Sequence, residues 1–298
     1  MQESNVSSNQ PVNILQKKLP ARIIGKKTRQ RLEVVLAYSI LTIALLFVFL
    51  PLFWIFLTSI KSPDLAYQIP PIWFFTPTLE NYKSLITDVP FPKFFLNSAV
   101  VALATTILAI SLGSFTAYSI ARFRTGGDFF RGWIFNNRTM PAIVILIPIF
   151  LLSNAFGLFD TFPALIIPYL SFILPFAIWM LIGFFLSVPQ EMEEAALVDG
   201  ATRMQALWFI TMPIAAPGIA ATGILCFLFS WNEFLLALIL TGNNTRTLPV
   251  AVANFLTHRG VYIGGLSAAT MVMIIPVMLL AFSIRGYLVR GLSLGAIK

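Results

Sequence analysis

The sequence is short of the residues that carry out chemistry. One of its 298 residues is cysteine, Cys226, and one is histidine, His258. A lone cysteine excludes an internal disulfide and a cysteine-based metal site. A lone histidine excludes a histidine-cluster metal site, so no metal ligands are assigned, and it weakens any nucleophile–histidine arrangement. Charge is also scarce: Asp, Glu, Lys and Arg make up 11% of the chain, against roughly a quarter in a typical soluble protein. The GxxxxGK(S/T) phosphate loop is missing. Gly25-Lys26 lacks the upstream glycine, the hydroxyl residue and the preceding strand that a phosphate cradle needs. No catalytic residue and no cofactor site is therefore assigned to this chain.

What the sequence has instead is apolar length. Hydrophobic residues reach 58%, more than a soluble fold of this size can hide. Charge-free windows run from Val34 to Ile60, Phe94 to Ala121, Thr139 to Phe159 and Thr161 to Gln190. A fifth, Ile214 to Thr241, is interrupted by Glu233, and a sixth lies within Gly260 to Ile284. Each supplies the ~20 residues that a helix needs to cross the hydrocarbon core. Backbone amides in lipid must be satisfied internally, and nothing alternates like a barrel strand. The fold class is an all-α polytopic membrane protein with six transmembrane helices.

Lys and Arg set the orientation. They gather before the first window (Lys17, Lys18, Arg22, Lys26, Lys27, Arg29, Arg31), between the second and third (Arg122, Arg124, Arg131, Arg138), at Arg203, and at the end (Arg285, Arg290, Lys298). The alternate loops hold only Lys61, Lys83, Lys93, Arg246 and Arg259. That asymmetry places both termini in the cytoplasm. It also accounts for the net charge of +8 without nucleic acid. Residues 1–33 read as a basic cytoplasmic tail, 34–60 as a retained first span rather than a signal peptide, and 286–298 as a cytoplasmic C-terminal tail.

One cytoplasmic stretch, residues 187–213, is too specified for a linker. It reads as two short helices with a sharp bend. Ser187 and Gln190 form an S-x-x-Q capping box with Pro189 in the first turn, and Glu191, Glu193 and Glu194 favour the positive helix end. Gly200 is the stop, and Thr202 with Gln205 caps the second helix. On these signals alone it is as readily an ordinary helical hairpin.

The complete spacing adds more. Glu194-Ala195-Ala196, three residues, Gly200, nine residues, Ile210, one residue, Met212-Pro213 resembles the EAA loop of ABC importer permeases, with Met212 where Leu is usual. The resemblance covers about Val34 to Lys298. Ser230-Trp231-Asn232-Glu233-Phe234, Thr247-Leu248-Pro249-Val250, Gly291-Leu292 and Gly295-Ala296-Ile297-Lys298 look like the carbohydrate-importing branch, and within it like permeases similar to the maltose transporter's G subunit. The resemblance implies a type I importer permease fold over 94–285 and a place in a bacterial plasma (inner) membrane. Its implied partners are a second, homologous permease, a homodimeric ATPase that binds ATP and Mg, an external solute-binding protein, and a sugar. The coupling residues implied are Glu194, Ala195, Ala196, Asp199, Gly200, Ile210 and Pro213. Gly295 and Lys298 would reach the ATPase, unless the tail is simply an end held by its basic residues. External segments 62–93 and 242–260 would receive the binding protein, unless their aromatics only anchor at the interface.

Glu233 lies in an apolar span, where a carboxylic residue opposes insertion by ~2.5–3.5 kcal/mol at the centre. Thr222, Cys226, Ser230 and Glu233 recur at helical spacing. Two readings stand. Ser230, Asn232 and Glu233 line a substrate path, with Trp231 stacking on a sugar and Asn154 adding a polar group. Alternatively, Glu233 hydrogen-bonds within the helix bundle or near the outer interface. Asn136, Asn137, Tyr169 and Ser171 are further path candidates. The competing functions are an importer of another solute, such as a polyamine or a phosphorylated polyol, an intramembrane serine protease, and a signalling membrane protein.

Overall fold

The computed structural model describes residues 26–139, 141–257 and 260–295, and the chain divides into two units, 1–53 and 54–298. His258, Arg259, Lys298 and most of the basic N-terminal segment lie outside the described residues. Helix α1 (Lys26–Ser59) supplies the described part of the first unit and runs six residues into the second. From Val34 on, its residues are apolar on every side, and Leu41 and Phe47 are among many left exposed. A stretch apolar all round and long enough to cross the hydrocarbon core is built for lipid.

The second unit is a helix bundle. The short helices α2 (Pro63–Ala66) and α3 (Glu80–Thr87) lead into α4 (Phe91–Phe123). Then come α5 (Gly127–Thr139), α6 (Ala142–Ala155), α7 (Phe162–Ser187), α8 (Gln190–Val198) and α9 (Arg203–Ala206). A π-turn (Leu207–Thr211) joins α9 to α10 (Met212–Trp231), followed by α11 (Leu235–Leu240), α12 (Leu248–Ala253) and α13 (Ile263–Gly295). A two-stranded hairpin, β1 (Leu256–Thr257) and β2 (Gly260–Val261), precedes α13, with Leu256 opposite Val261.

Helix α4 packs along α7, and α10 lies against both. Their shared core holds Val101, Ala109, Leu165, Tyr169, Ile173, Ala177 and Cys226. Small residues bring the backbones together: a Cβ at Gly218 of α10 would sit 2.2 Å from the Phe184 ring of α7. Membrane helices associate through such small-residue contacts because lipid offers no hydrophobic gradient between them.

Two expected spans differ. Five helices among the described residues are long and apolar enough to cross a membrane. The expected third span is interrupted at Pro141, which caps α6; the 14 residues of α6 rise only about 21 Å. Proline has no N–H to donate, which suits it to a helix start rather than a helix interior. The fifth span is broken too. Helix α10 ends at Trp231 and α11 restarts at Leu235, because the Glu233 carboxylate accepts the backbone N–H groups of Leu236 (2.9 Å) and Ala237 (3.1 Å).

At the end of the bundle away from α8 and α9, polar side chains hold the connections. Asn81 donates to the carbonyls of Ser59 (2.9 Å) and Lys61 (2.7 Å) and accepts from the Tyr262 hydroxyl (3.0 Å). The Lys61 ammonium lies 5.0 Å from the Trp54 ring and 5.2 Å from Phe75. Of the aromatics in segment 62–93, Phe75 thus packs inward, while Phe74 is almost fully exposed.

Candidate functional site

The stretch 187–213 folds as the bent pair of helices that its residues specify, with one exception. Ser187 does not cap α8. It is the last residue of α7, and its hydroxyl turns back to the Phe184 carbonyl at 2.7 Å. Pro189 takes the cap position without a side-chain bond. The apolar run of α7 continues through Ser187, so the serine satisfies a carbonyl of the helix it ends. The second cap forms as expected: Thr202 and Gln205 make a reciprocal capping box. Gly200 has φ +89°, a left-handed angle that a side chain opposes.

The two faces of α8 differ. Glu194 and Ala195 are exposed, with Val198, Asp199 and Gly200 beside them, while Ala196 is half-buried. Ile210 is half-buried in the π-turn, and Pro213 is exposed at the start of α10. The opposite face carries Glu193, only 7% exposed. Its carboxylate accepts from Arg122 Nε at 2.8 Å, the Thr211 hydroxyl at 2.6 Å and the Tyr118 hydroxyl at 2.9 Å. Arg122 Nη2 lies 2.7 Å from the same carboxylate and donates to the Val188 carbonyl at 2.9 Å. One buried ion pair therefore joins α4, the end of α7, α8 and the π-turn. Burial opposes ionisation of Glu193, but the bonds from Arg122, Thr211 and Tyr118 outweigh it and hold the carboxyl below its ordinary range.

Glu193 and Arg122 are the residues that sequence reasoning missed. Glu193 reads as one of three carboxylates near a helix start, and Arg122 as a topology charge. The available signal was helical spacing: Glu193 shares a face with Ala196 and Leu197, which turn inward.

The expected path residues do not converge. Ser230 is buried without a hydrogen-bond partner. Asn232 is exposed and donates to the Leu228 carbonyl (2.8 Å), and Asn154 is exposed and donates to the Phe150 carbonyl (2.9 Å). Thr222 bonds back to Gly218 (2.8 Å) inside the bundle. Trp231 is 1% exposed, stacked on Phe227 and donating Nε1–H to the Met273 carbonyl at 3.2 Å. Its ring is covered on both sides by protein, which corrects its reading as a sugar platform. Glu233 leaves the stripe because the helix ends before it. Instead it lines a cavity of about 290 Å³ with Tyr169, Phe172, Ile173, Phe176, Phe229 and Leu236. Ser171 turns to the Pro168 carbonyl at 2.6 Å. Gly295 ends α13.

At the far end, Asp160 clasps the segment after α11. It accepts from Gly242 N (2.9 Å), Asn244 N (3.0 Å), Thr245 N (2.9 Å) and the Thr245 hydroxyl (2.8 Å). Burial opposes its ionisation, yet these bonds bring its pKa down to about 2. Asn97 adds bonds to the carbonyls of Asn244 (2.9 Å) and Arg246 (3.0 Å).

A helix bundle with a capped, anchored hairpin between two long apolar helices has matches among known proteins. Residues 109–294 match the family model described as the binding-protein-dependent transport system inner membrane component. The chain belongs to that family. The match covers the second half of α4, the hairpin and the long apolar helices that follow. As a member, this chain is a multi-pass inner-membrane permease subunit of an ABC importer. It is 37% identical over 265 residues to the trehalose transport system permease protein SugB of Mycobacterium tuberculosis, covering 86% of this chain and 95% of that one. It is 30% identical over 274 residues to the trehalose/maltose transport system permease protein MalG of Thermococcus litoralis, covering 90% and 97%. Among solved structures, a chain of a bacterial ABC transporter that imports the acidic polysaccharide alginate superposes with a TM-score of 0.69 at 22% identity, covering 89% of this chain and 99% of that chain. At that identity the likeness is one of fold.

Proposed function

We propose that this permease imports a carbohydrate as one of a pair of homologous subunits, both termini cytoplasmic, with a separate ATPase dimer engaging the hairpin 187–213. The observation that carries the coupling reading is the two-faced α8. Its outer face offers small residues and Glu194, exposed for a partner with basic groups, while Glu193 bolts its inner face to the transmembrane helices. A rigid element can transmit a push that a loose loop would absorb. Phosphate chemistry would fall to the ATPase with its ATP and Mg. Solute would arrive on an external binding protein received at the opposite end, near segments 62–93 and 242–260. The names of SugB and MalG favour sugar over the polyamine and phosphorylated-polyol readings.

The test is uptake of labelled mono- and oligosaccharides, polyol phosphates and a polyamine, in cells with and without this gene. Loss of one sugar, restored by the intact gene, is the expected result. Gly200→Pro and Glu194→Lys should not restore it, although membrane levels of the protein persist. Unchanged substrate-dependent ATP hydrolysis in both variants would overturn the coupling role. Loss of only a non-carbohydrate solute would overturn the substrate.

A further inference from the structure

We infer that the cavity between α7 and the α10–α11 break is a binding subsite for a single sugar ring. The inference rests on the carbohydrate reading and adds the place where this chain touches the solute. Non-helical backbone at membrane depth is tolerated where it is buried in protein or lines a cavity. Residues Asn232–Phe234 are such a break between apolar helices, and Glu233 at its centre opens onto the cavity.

The walls suit a pyranose. Tyr169, Phe172, Phe176 and Phe229 supply aromatic surface on one side of Glu233. Phe176 and Phe229 meet at 88° with centroids 4.9 Å apart, so the cavity presents a ring face and a ring edge at right angles. Aromatic faces carry negative charge density and attract polarised C–H groups, which a sugar ring presents on its flat sides. At about 290 Å³ the space lies at the small end of ligand clefts, ~300–1,000 Å³. That admits one ring at a time.

The polar groups suit its hydroxyls. Tyr169 is 1% exposed, and its hydroxyl lies close enough to Glu233 to interact with the carboxylate. Each Glu233 oxygen accepts one backbone N–H, which fixes the carboxylate and leaves it further acceptor sites. A sugar hydroxyl beside this pair would donate to a remaining Glu233 lone pair and accept from the Tyr169 O–H.

Two measurements on the assembled transporter in membrane vesicles test this. In the first, Cys226→Ala removes the native thiol, and Ile173→Cys or Phe172→Cys places a new one on the cavity wall. Modification by a small water-soluble methanethiosulfonate should proceed. It should be slowed by glucose, maltose or trehalose in excess, but not by spermidine or glycerol phosphate. In the second, Tyr169→Phe in the otherwise native chain should keep the complex assembled while lowering discrimination between the imported sugar and its monodeoxy analogues, by about tenfold at one hydroxyl. No modification of either cysteine, protection by spermidine alone, or discrimination unchanged in Tyr169→Phe would overturn the subsite. Failure of the carbohydrate reading itself would be seen separately, as native vesicles that import none of the sugars.

Discussion

Arg122 and Glu193 sit where an isolated charge is costly, with side-chain exposures of 6% and 9%. Arg122→Ala would leave the carboxylate buried with two hydroxyl donors, and breaking a buried pair from one side typically costs ~3–5 kcal/mol. Glu193→Gln keeps the shape and one acceptor oxygen, so it should cost less. The expected outcome is a hairpin that proteases cut faster in Arg122→Ala than in Glu193→Gln, and faster in either than in the native chain. The pH response follows from the direction of the shift. A carboxylate held below its ordinary value contributes stability that is complete above that value and lost as pH falls through the depressed one. For Glu193, and for Asp160 with its pKa of about 2, the contribution is therefore constant from about pH 5 to 8. Hydrogen exchange of the hairpin and of residues 242–245, corrected for intrinsic rate, should not differ between pH 5.5 and 7.5. A loss of protection at pH 5.5 would overturn this assignment.

The π-turn at Leu207–Thr211 belongs to the scale of elements. It places Thr211 against Glu193 and sets the rotation of α9 about the axis of α10. Such turns accommodate one residue more than an α-helix would. Inserting one alanine after Trp208, an exposed residue within it, adds a residue that the turn does not absorb and should rotate α9 by about 100° relative to α10. The hairpin's outer face would then point elsewhere. Transport should be lost while the protein still inserts, and solute-stimulated ATP hydrolysis should fall to its basal rate. The same element marks a limit of reading sequence. Gly200 and the Thr202–Gln205 box act through local geometry, so they were legible. Ser187 was misread because two helices compete for it, and the outcome depends on how far α7 extends. The π-turn leaves no mark in spacing, since Leu207–Thr211 is acceptable helix in either form.

In the whole molecule, apolar runs revealed the long helices, because lipid demands a length and a composition that few other environments do. They did not reveal how those helices pack. The Gly218–Phe184 contact joins residues on separate spans, and Glu193–Arg122 joins residues 71 apart in sequence. Nor did they show that Trp231 points into the bundle while Glu233 points away from its stripe, because that depends on where α10 stops. Gly218→Val tests the packing: the added side chain would overlap the Phe184 ring, and overpacking typically costs ~1–3 kcal/mol. The detergent-solubilised complex should lose its tertiary signal at lower temperature, with Phe184→Ala in the same chain recovering part of the loss.

The tie at Glu193 has a mechanical consequence. It grips α4, the end of α7 and the π-turn at one point, and the turn leads without interruption into α10. In the proposed coupling, a displacement of the hairpin would be delivered to three spans at once. Such a linkage would have no gear that slips: its stroke would be whole or absent.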